Sequence, residues 1–228
     1  MSFAPSARLP RRRIALAASC LLFGLLAFAG IAVFVFSGAS AMSVDQPDHA
    51  WFVAERSAAA TAVFTAVTSV SAPELLPFLV IAGALVWALW KRQWWRPLLL
   101  IGAMLFTVAL TVLLKLFITH DRPAADQMLL GPDDQHSFPS GHTLVAAVFL
   151  LVSAYLVVSR SKRRFVAPAA ASAAGLGILA VAVSRLYLGY HWLTDVSASL
   201  ALALLVLGAV MLLDIGRPRF GFAGRQSP

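Results

Sequence analysis

The sequence predicts an all-α, polytopic membrane protein with six transmembrane helices, and three observations carry that prediction. The first is composition: of 228 residues, 60% are hydrophobic and 12% charged, with a mean hydropathy of +0.83. Soluble domains carry about 45–50% and about 25%. Polar surface this scarce cannot cover so much apolar side chain, so lipid is the solvent for much of it. The second is that the apolar residues gather into six runs near the roughly 20 residues a helix needs to cross hydrocarbon. The third is that basic residues collect in alternate connections between those runs. The same composition excludes a disordered chain, a basic nucleic-acid arm and an ordinary soluble enzyme. A single cysteine, Cys20, excludes an internal disulfide framework and a cysteine-based zinc site. The length suits one domain of ordinary size.

The elements follow in chain order. Ile14–Phe36 is the first run, preceded by Arg11, Arg12 and Arg13. With Ala39-Ser40-Ala41 behind it, this segment resembles a secretory signal. Its 23 residues exceed the 7–15 or so of a signal's apolar core, so it reads as an uncleaved anchor. Residues 45–72 have mixed polarity (Asp45, Asp48, His49, Glu55, Arg56) and read as an outer amphipathic helix lying on the membrane. Pro73–Trp90 and Pro97–Thr119 are the second and third runs. Residues 120–139 form one long polar loop, and a loop of that length in a compact protein is usually functional. Thr143–Val158, Phe165–Ser184 and Trp192–Leu213 complete the six. The second and fourth are the shortest. Trp51, Trp94, Trp95 and Trp192 lie near run ends, where indoles favour the headgroup layer. The organisation is then a basic N-terminal segment (1–13), a six-span domain (14–213) and a C-terminal tail (214–228).

Charge orients the spans. Fourteen of the eighteen Lys and Arg residues lie before the first run, after the second, after the fourth and after the sixth. The positive-inside rule places these segments, and both termini, in the cytoplasm. Nine of the ten acids, all but Asp214, fall on the other face.

Three of the four remaining cations, Lys115, Arg122 and Arg185, sit at or near the outer ends of spans. A cation there is costly unless it is paired or functional. His142 opens the fourth span and His191 the sixth, so three cations and two imidazoles are expected at one depth on one face. That set describes a phosphate site: guanidinium groups engage phosphate oxygens bidentately and lysine adds a point charge. Pro139-Ser140-Gly141-His142 precedes an apolar helix. Ser140 suits an N-cap, Gly141 lets a ligand approach the backbone, and the helix start presents free N–H groups to an anion. If 191–195 is helical, His191 and Asp195 lie one turn apart on one face. A carboxylate there holds one ring N–H and leaves the other nitrogen's lone pair for phosphorus, which suits a nucleophilic histidine. His142 is then free to protonate the leaving oxygen. Each residue also has a plainer role: Asp195 as a partner of Arg185, His142 as a helix-start polar group, Ser140 as a cap only, Tyr187 and Tyr190 as interfacial packing. His120, Asp121, Asp133, Asp134 and His136 match no common metal-ligand spacing. The plainer roles taken singly do not account for the convergence on one face.

These residues reproduce a three-part signature: Lys115, six residues, Arg122-Pro123; then Pro139-Ser140-Gly141-His142; then Ser184-Arg185, five residues, His191, three residues, Asp195. In this the chain resembles the type 2 phosphatidic acid phosphatase superfamily at all eleven specified positions, over roughly residues 60–213, in the form of its bacterial integral-membrane branch. The resemblance implies that His191 attacks phosphorus and becomes a phosphohistidine, that Asp195 orients it, and that His142 is the general acid. It further implies that Lys115, Arg122, Ser140, Gly141 and Arg185 hold the phosphoryl oxygens without a metal or cofactor.

The expected function is therefore metal-independent hydrolysis of a lipid phosphate or pyrophosphate in a bacterial plasma membrane, with the site opening on the outer face. Substrates implied by the resemblance are undecaprenyl pyrophosphate, slightly favoured because the active face looks outward, phosphatidate and phosphatidylglycerol phosphate. The expected partners are the bilayer and that lipid, with no nucleic acid. Two alternatives stand beside it: a phosphotransferase sharing the first half-reaction, and a non-catalytic phospholipid-binding membrane protein. A vanadium-dependent haloperoxidase uses a related constellation, but those relatives are soluble and six spans argue against it.

Overall fold

A computed structural model describes residues 11–37, 39–133 and 135–217. Arg8, Asp134, Arg219 and Arg225 lie outside the described residues, as do most of the N-terminal segment and most of the C-terminal tail. The described chain is helical: α1 (Arg11–Phe36), α2 (Ala39–Ala54), α3 (Ala58–Val70), α4 (Leu76–Lys91), α5 (Trp95–Phe117), a short 3₁₀ turn (Ala125–Gln127), α6 (Gly141–Val158), α7 (Val166–Tyr187) and α8 (Leu193–Gly216). No strand occurs among the described residues.

Five helices, α1, α5, α6, α7 and α8, are long and apolar enough to cross a membrane. They coincide with five of the six expected runs to within a few residues. The other run, Pro73–Trp90, becomes the 16-residue α4, because residues 73–75 form a turn ahead of the helix instead of extending it. At 1.5 Å per residue α4 spans about 24 Å. Large apolar side chains such as Leu26, Phe78, Leu116 and Phe117 face outward all round the bundle, the surface expected where lipid replaces water.

Helix α6 lies at the centre, packed by α5, α7 and α8. Met104, Leu144, Val148, Val152, Leu202 and Val206 form the main core with residues of α4. Helices α1 and α8 run antiparallel in close contact, made possible by two glycines. A Cβ on Gly24 would lie 2.5 Å from the Ala201 carbonyl oxygen, and one on Gly208 would lie 2.6 Å from the Leu21 nitrogen. Small residues of this kind let helix backbones approach where no hydrophobic effect drives them together. Helix α1 is thus an integral stave of the bundle.

The outer segment differs from expectation. It folds as two helices, not one, broken at residues 55–57, where the Ser57 hydroxyl caps α3 by accepting from Ala60 N–H. The polar face of α2 turns inward: Asp45 and His49, four residues apart, are buried against the start of α8. Trp192 is also not a headgroup anchor. It is buried, and its indole N–H donates to the Asp121 carbonyl at 2.7 Å. Trp51 and Trp94 are exposed, as anchors require.

Candidate active site

The long loop closes first. Ser137 N–H donates to the His120 carbonyl at 2.8 Å, so the residues flanking the polar segment 121–136 meet at its base. Gly189 lets the α7–α8 turn pass under this loop. Its φ is +82°, and a Cβ there would stand 2.4 Å from the Gln127 carbonyl oxygen, so only glycine fits. Tyr190 fastens the turn to the loop, donating to the Gly131 carbonyl at 2.6 Å and accepting from Leu130 N–H at 3.1 Å.

Between this loop and the ends of α5, α6 and α7 lies a cavity of about 240 Å³, whose lining includes Lys115, Arg122, Gly141, His142, Arg185 and His191. The three span-end cations, both histidines and the glycine that the sequence singles out are thus brought to one place. Glu74, Thr111, Asp133 and Gln135 also line it.

Each cation is held by a different element. Lys115, in the last turn of α5, donates to the His136 carbonyl. Arg122 is fixed on several sides: its guanidinium donates to the Gln135 and Tyr190 carbonyls, each at 2.7 Å, and pairs with Asp133 at 2.7 Å. Burial lowers its pKa, opposed chiefly by Asp133 and then Asp195. Arg185, in the last turn of α7 and 4% exposed, donates to the Thr68 hydroxyl at 2.7 Å and stacks 4.4 Å over the Tyr190 ring. Its Nε has no partner among the described residues. Tyr190 therefore does more than pack at an interface: it supports the Arg185 guanidinium and pins the loop.

The nucleophile candidate is equally constrained. His191 is 2% exposed, and its Nδ1 lies 3.2 Å from Asp195 Oδ2. An ionised carboxylate only accepts hydrogen bonds, so Nδ1 carries the proton and Nε2 keeps the lone pair. Arg122 donates to that Nε2 at 3.3 Å, which places it on the cavity side. Burial lowers the His191 pKa to about 3, against the opposing bond and charge of Asp195, with Arg185 and Arg122 adding to the lowering. Burial thus favours the neutral ring.

Asp195 is fully buried and stands behind the cavity wall. Its Oδ2 also accepts from Trp192 N–H at 2.9 Å, the carboxylate half of a capping box at the start of α8. Its Oδ1 lies 3.0 Å from His120 Nδ1 and 3.2 Å from the Ser137 hydroxyl.

Ser140 behaves differently from the other signature residues. It is fully buried, caps α6 by accepting from Thr143 N–H at 3.5 Å, and does not line the cavity. Gly141 does line it, and a Cβ there would make ordinary contact with Thr111 and Pro73 at 3.5–3.7 Å, so protein packing alone does not demand glycine.

Several supporting residues escape sequence reasoning. Asp45 accepts from both Thr194 N–H (3.0 Å) and the Thr194 hydroxyl (2.7 Å), clamping the first turn of α8 from a distance of 149 residues. His49 joins the 3₁₀ turn through Gln127 at 2.6 Å. Arg56 donates to the Tyr187 and Gln127 carbonyls at 3.1 and 2.7 Å. The only signal for these was charge in an otherwise apolar outer segment. No group of three or more His, Cys, Asp or Glu residues arranged to hold a metal ion occurs among the described residues.

Comparison with known proteins adds to this geometry. The family model of the PAP2 superfamily matches residues 96–217. Phosphatidylglycerophosphatase B of Bacillus subtilis is 34% identical over 163 residues, covering 69% of this chain and 77% of that protein. The crystal structure of a transmembrane PAP2-type phosphatidylglycerolphosphate phosphatase from Bacillus subtilis superposes with a TM-score of 0.74 at 28% identity, over 90% of this chain and 98% of that one. LpxE of Aquifex aeolicus shares the fold at a TM-score of 0.57 and 24% identity, over 74% of this chain and 94% of that one.

Proposed function

The chain belongs to the PAP2 superfamily, and from that membership and the site we propose that it is a metal-independent lipid phosphate phosphatase acting through a phosphohistidine. The observation that carries this reading is His191, with Nδ1 on a buried carboxylate and Nε2 facing a cavity ringed by Lys115, Arg122 and Arg185.

The substrate's phosphoryl group settles among the three cations, which neutralise the charge spread over its oxygens. Metal ions fill that role in many other phosphoryl transfers. His191 Nε2 forms the bond to phosphorus as the bond to the lipid oxygen breaks, and His142 gives that oxygen its proton. Asp195 stabilises the positive charge appearing on the His191 ring. Water then attacks the phosphohistidine, His142 takes its proton, and phosphate leaves with His191 restored. Ser140 assists by holding the N-terminus of α6, with its N–H groups, against the phosphate.

A lipid substrate suits the surroundings. An apolar groove of about 320 Å³ runs between α4, α5 and α6, lined by Leu76, Leu79, Trp87, Leu100 and Phe149 among others. Phe149 lies two turns along α6 from His142. The site end is the outer face, α4 counts as the sixth span, and Arg13, Arg96, Arg160 and Arg217 mark the cytoplasmic end. Likeness to the Bacillus subtilis phosphatidylglycerophosphatase moves phosphatidylglycerol phosphate ahead of phosphatidate and undecaprenyl pyrophosphate as the substrate.

The test is phosphate release by detergent-purified protein in excess EDTA, offering short-chain forms of all three lipids to wild type and His191→Ala. Metal-independent release that vanishes in the variant is expected. Release unaffected by the substitution would remove the mechanism, and release from no lipid would favour a transferase or a binding protein.

A further inference from the structure

Four donor groups lie within hydrogen-bonding reach of the Asp195 carboxylate, and only two of them belong to the His191 turn. Oδ2 serves His191 Nδ1 and Trp192 N–H; Oδ1 serves His120 Nδ1 at 3.0 Å and the Ser137 hydroxyl at 3.2 Å. The serine has one proton. It also stands 3.0 Å from the His120 carbonyl and 3.3 Å from the Asp121 carbonyl, so it is not a committed donor to Asp195. Facing an acceptor-only carboxylate, the His120 Nδ1 must carry hydrogen, and it directs that one N–H between Asp195 Oδ1 and the Ser137 hydroxyl oxygen, each at 3.0 Å. Its ring is backed edge-on by the buried Phe138 at 6.3 Å between centroids.

From this arrangement we infer that His120 is a positioning residue of the reaction: the unit presenting the nucleophile is His120–Asp195–His191, with one carboxylate shared by two imidazoles. Held through Oδ2 alone, the carboxylate could turn about its last torsion and carry the His191 ring with it. Held through both oxygens, it fixes the plane of that ring and the line along which Nε2 meets phosphorus. Misplacement of a reacting group by about 1 Å can cost on the order of 10²-fold. The charged groups facing His120 are Asp195 in the first turn of α8, Asp45 on α2 and Asp121 on its own loop. Burial alone would lower the His120 pKa, yet the bond to Asp195 and the charges of Asp195, Asp45 and Asp121 together raise it. Because the acceptor is an ionised carboxylate, this hydrogen bond is charge-assisted.

The inference rests on the phosphohistidine reading, and the experiment separates the two. Wild type, His191→Ala, His120→Ala and His120→Asn are assayed with short-chain phosphatidylglycerol phosphate in detergent, measuring kcat and KM across pH. Asparagine keeps an N–H near the Nδ1 position. For His120→Ala the expectation is a kcat loss of about 10- to 100-fold with KM changed less than about threefold. The acid limb of kcat/KM should also move to higher pH, because Asp195 then bears on His191 alone. His120→Asn should recover most of kcat. Full activity in His120→Ala, an equal loss in both His120 variants, or a loss confined to KM would overturn the inference. An active wild type with an equally active His191→Ala would instead overturn the reading on which it rests.

Discussion

Two buried arginines, one at each end of the bundle, show how the same side chain is made structural or functional. Arg96 is 5% exposed and Arg185 is 4% exposed. Arg96 donates to the Leu156 carbonyl and the Ser159 hydroxyl, at the C-terminal end of α6, where the helix dipole is negative. Asp214 stands close by, binding Trp95 and Tyr155 at 2.9 and 2.8 Å. There the Arg96 guanidinium is held by protein acceptors with a carboxylate nearby. Arg185 instead has the Thr68 hydroxyl, the Tyr190 ring face and two further cations around its cavity. Cations gathered without enough carboxylates need an anion from outside, and the cavity between them gives it room.

The contrast sets the order of the predictions. Arg185→Ala should lower kcat by about 10²-fold or more, since a contact that strengthens in the transition state is lost. Arg96→Ala should leave kcat per folded molecule nearly unchanged and cost about 1–3 kcal/mol of stability, because the C-terminal acceptors of α6 lose their donor. Kinetics and thermal unfolding on both variants decide this. A stable but inactive Arg96→Ala would erase the distinction between the ends.

Asp45→Asn sharpens the boundary between holding and reacting. One Asp45–Thr194 bond is lost or reversed, the first turn of α8 loosens, and kcat should fall about 10-fold while KM changes little. Gly189→Ala tests the scaffold from the other side. Positive φ and the clash with Gln127 should lower stability by about 1–3 kcal/mol, readable as a drop in Tm. The smallest effect expected is a pH dependence. The raised His120 pKa means that its pairing with Asp195 contributes stability fully present below the unfolded-state value of about 6.5 and lost as pH rises through the folded value. The Tm gap between wild type and His120→Asn should therefore narrow as pH rises above 6.5.

What the sequence could convey follows the same division. Lys115, Arg122, Arg185, His142 and His191 were legible because hydropathy marks the depth of each span end, and a charge at that depth stands out against its surroundings. Their spacing then matched a signature. Asp45, Thr68, Ser137 and Thr194 were not legible, because each acts through a partner 58 to 149 residues away, and no local pattern encodes such pairing. Trp192 misled because a span end and the turn that carries His191 share the same position in sequence. The shortened α4 misled because Pro73 and Glu74 are apolar-run neighbours in sequence but cavity wall in space.

The most direct test of the central claim is covalent. Wild-type protein is mixed with radiolabelled phosphatidylglycerol phosphate and quenched in alkali within one turnover, beside His191→Ala. The account predicts an alkali-stable, acid-labile label on the wild-type chain at His191 and none on the variant. Rapid phosphate release with no label on the protein, or equal labelling of the variant, would contradict it.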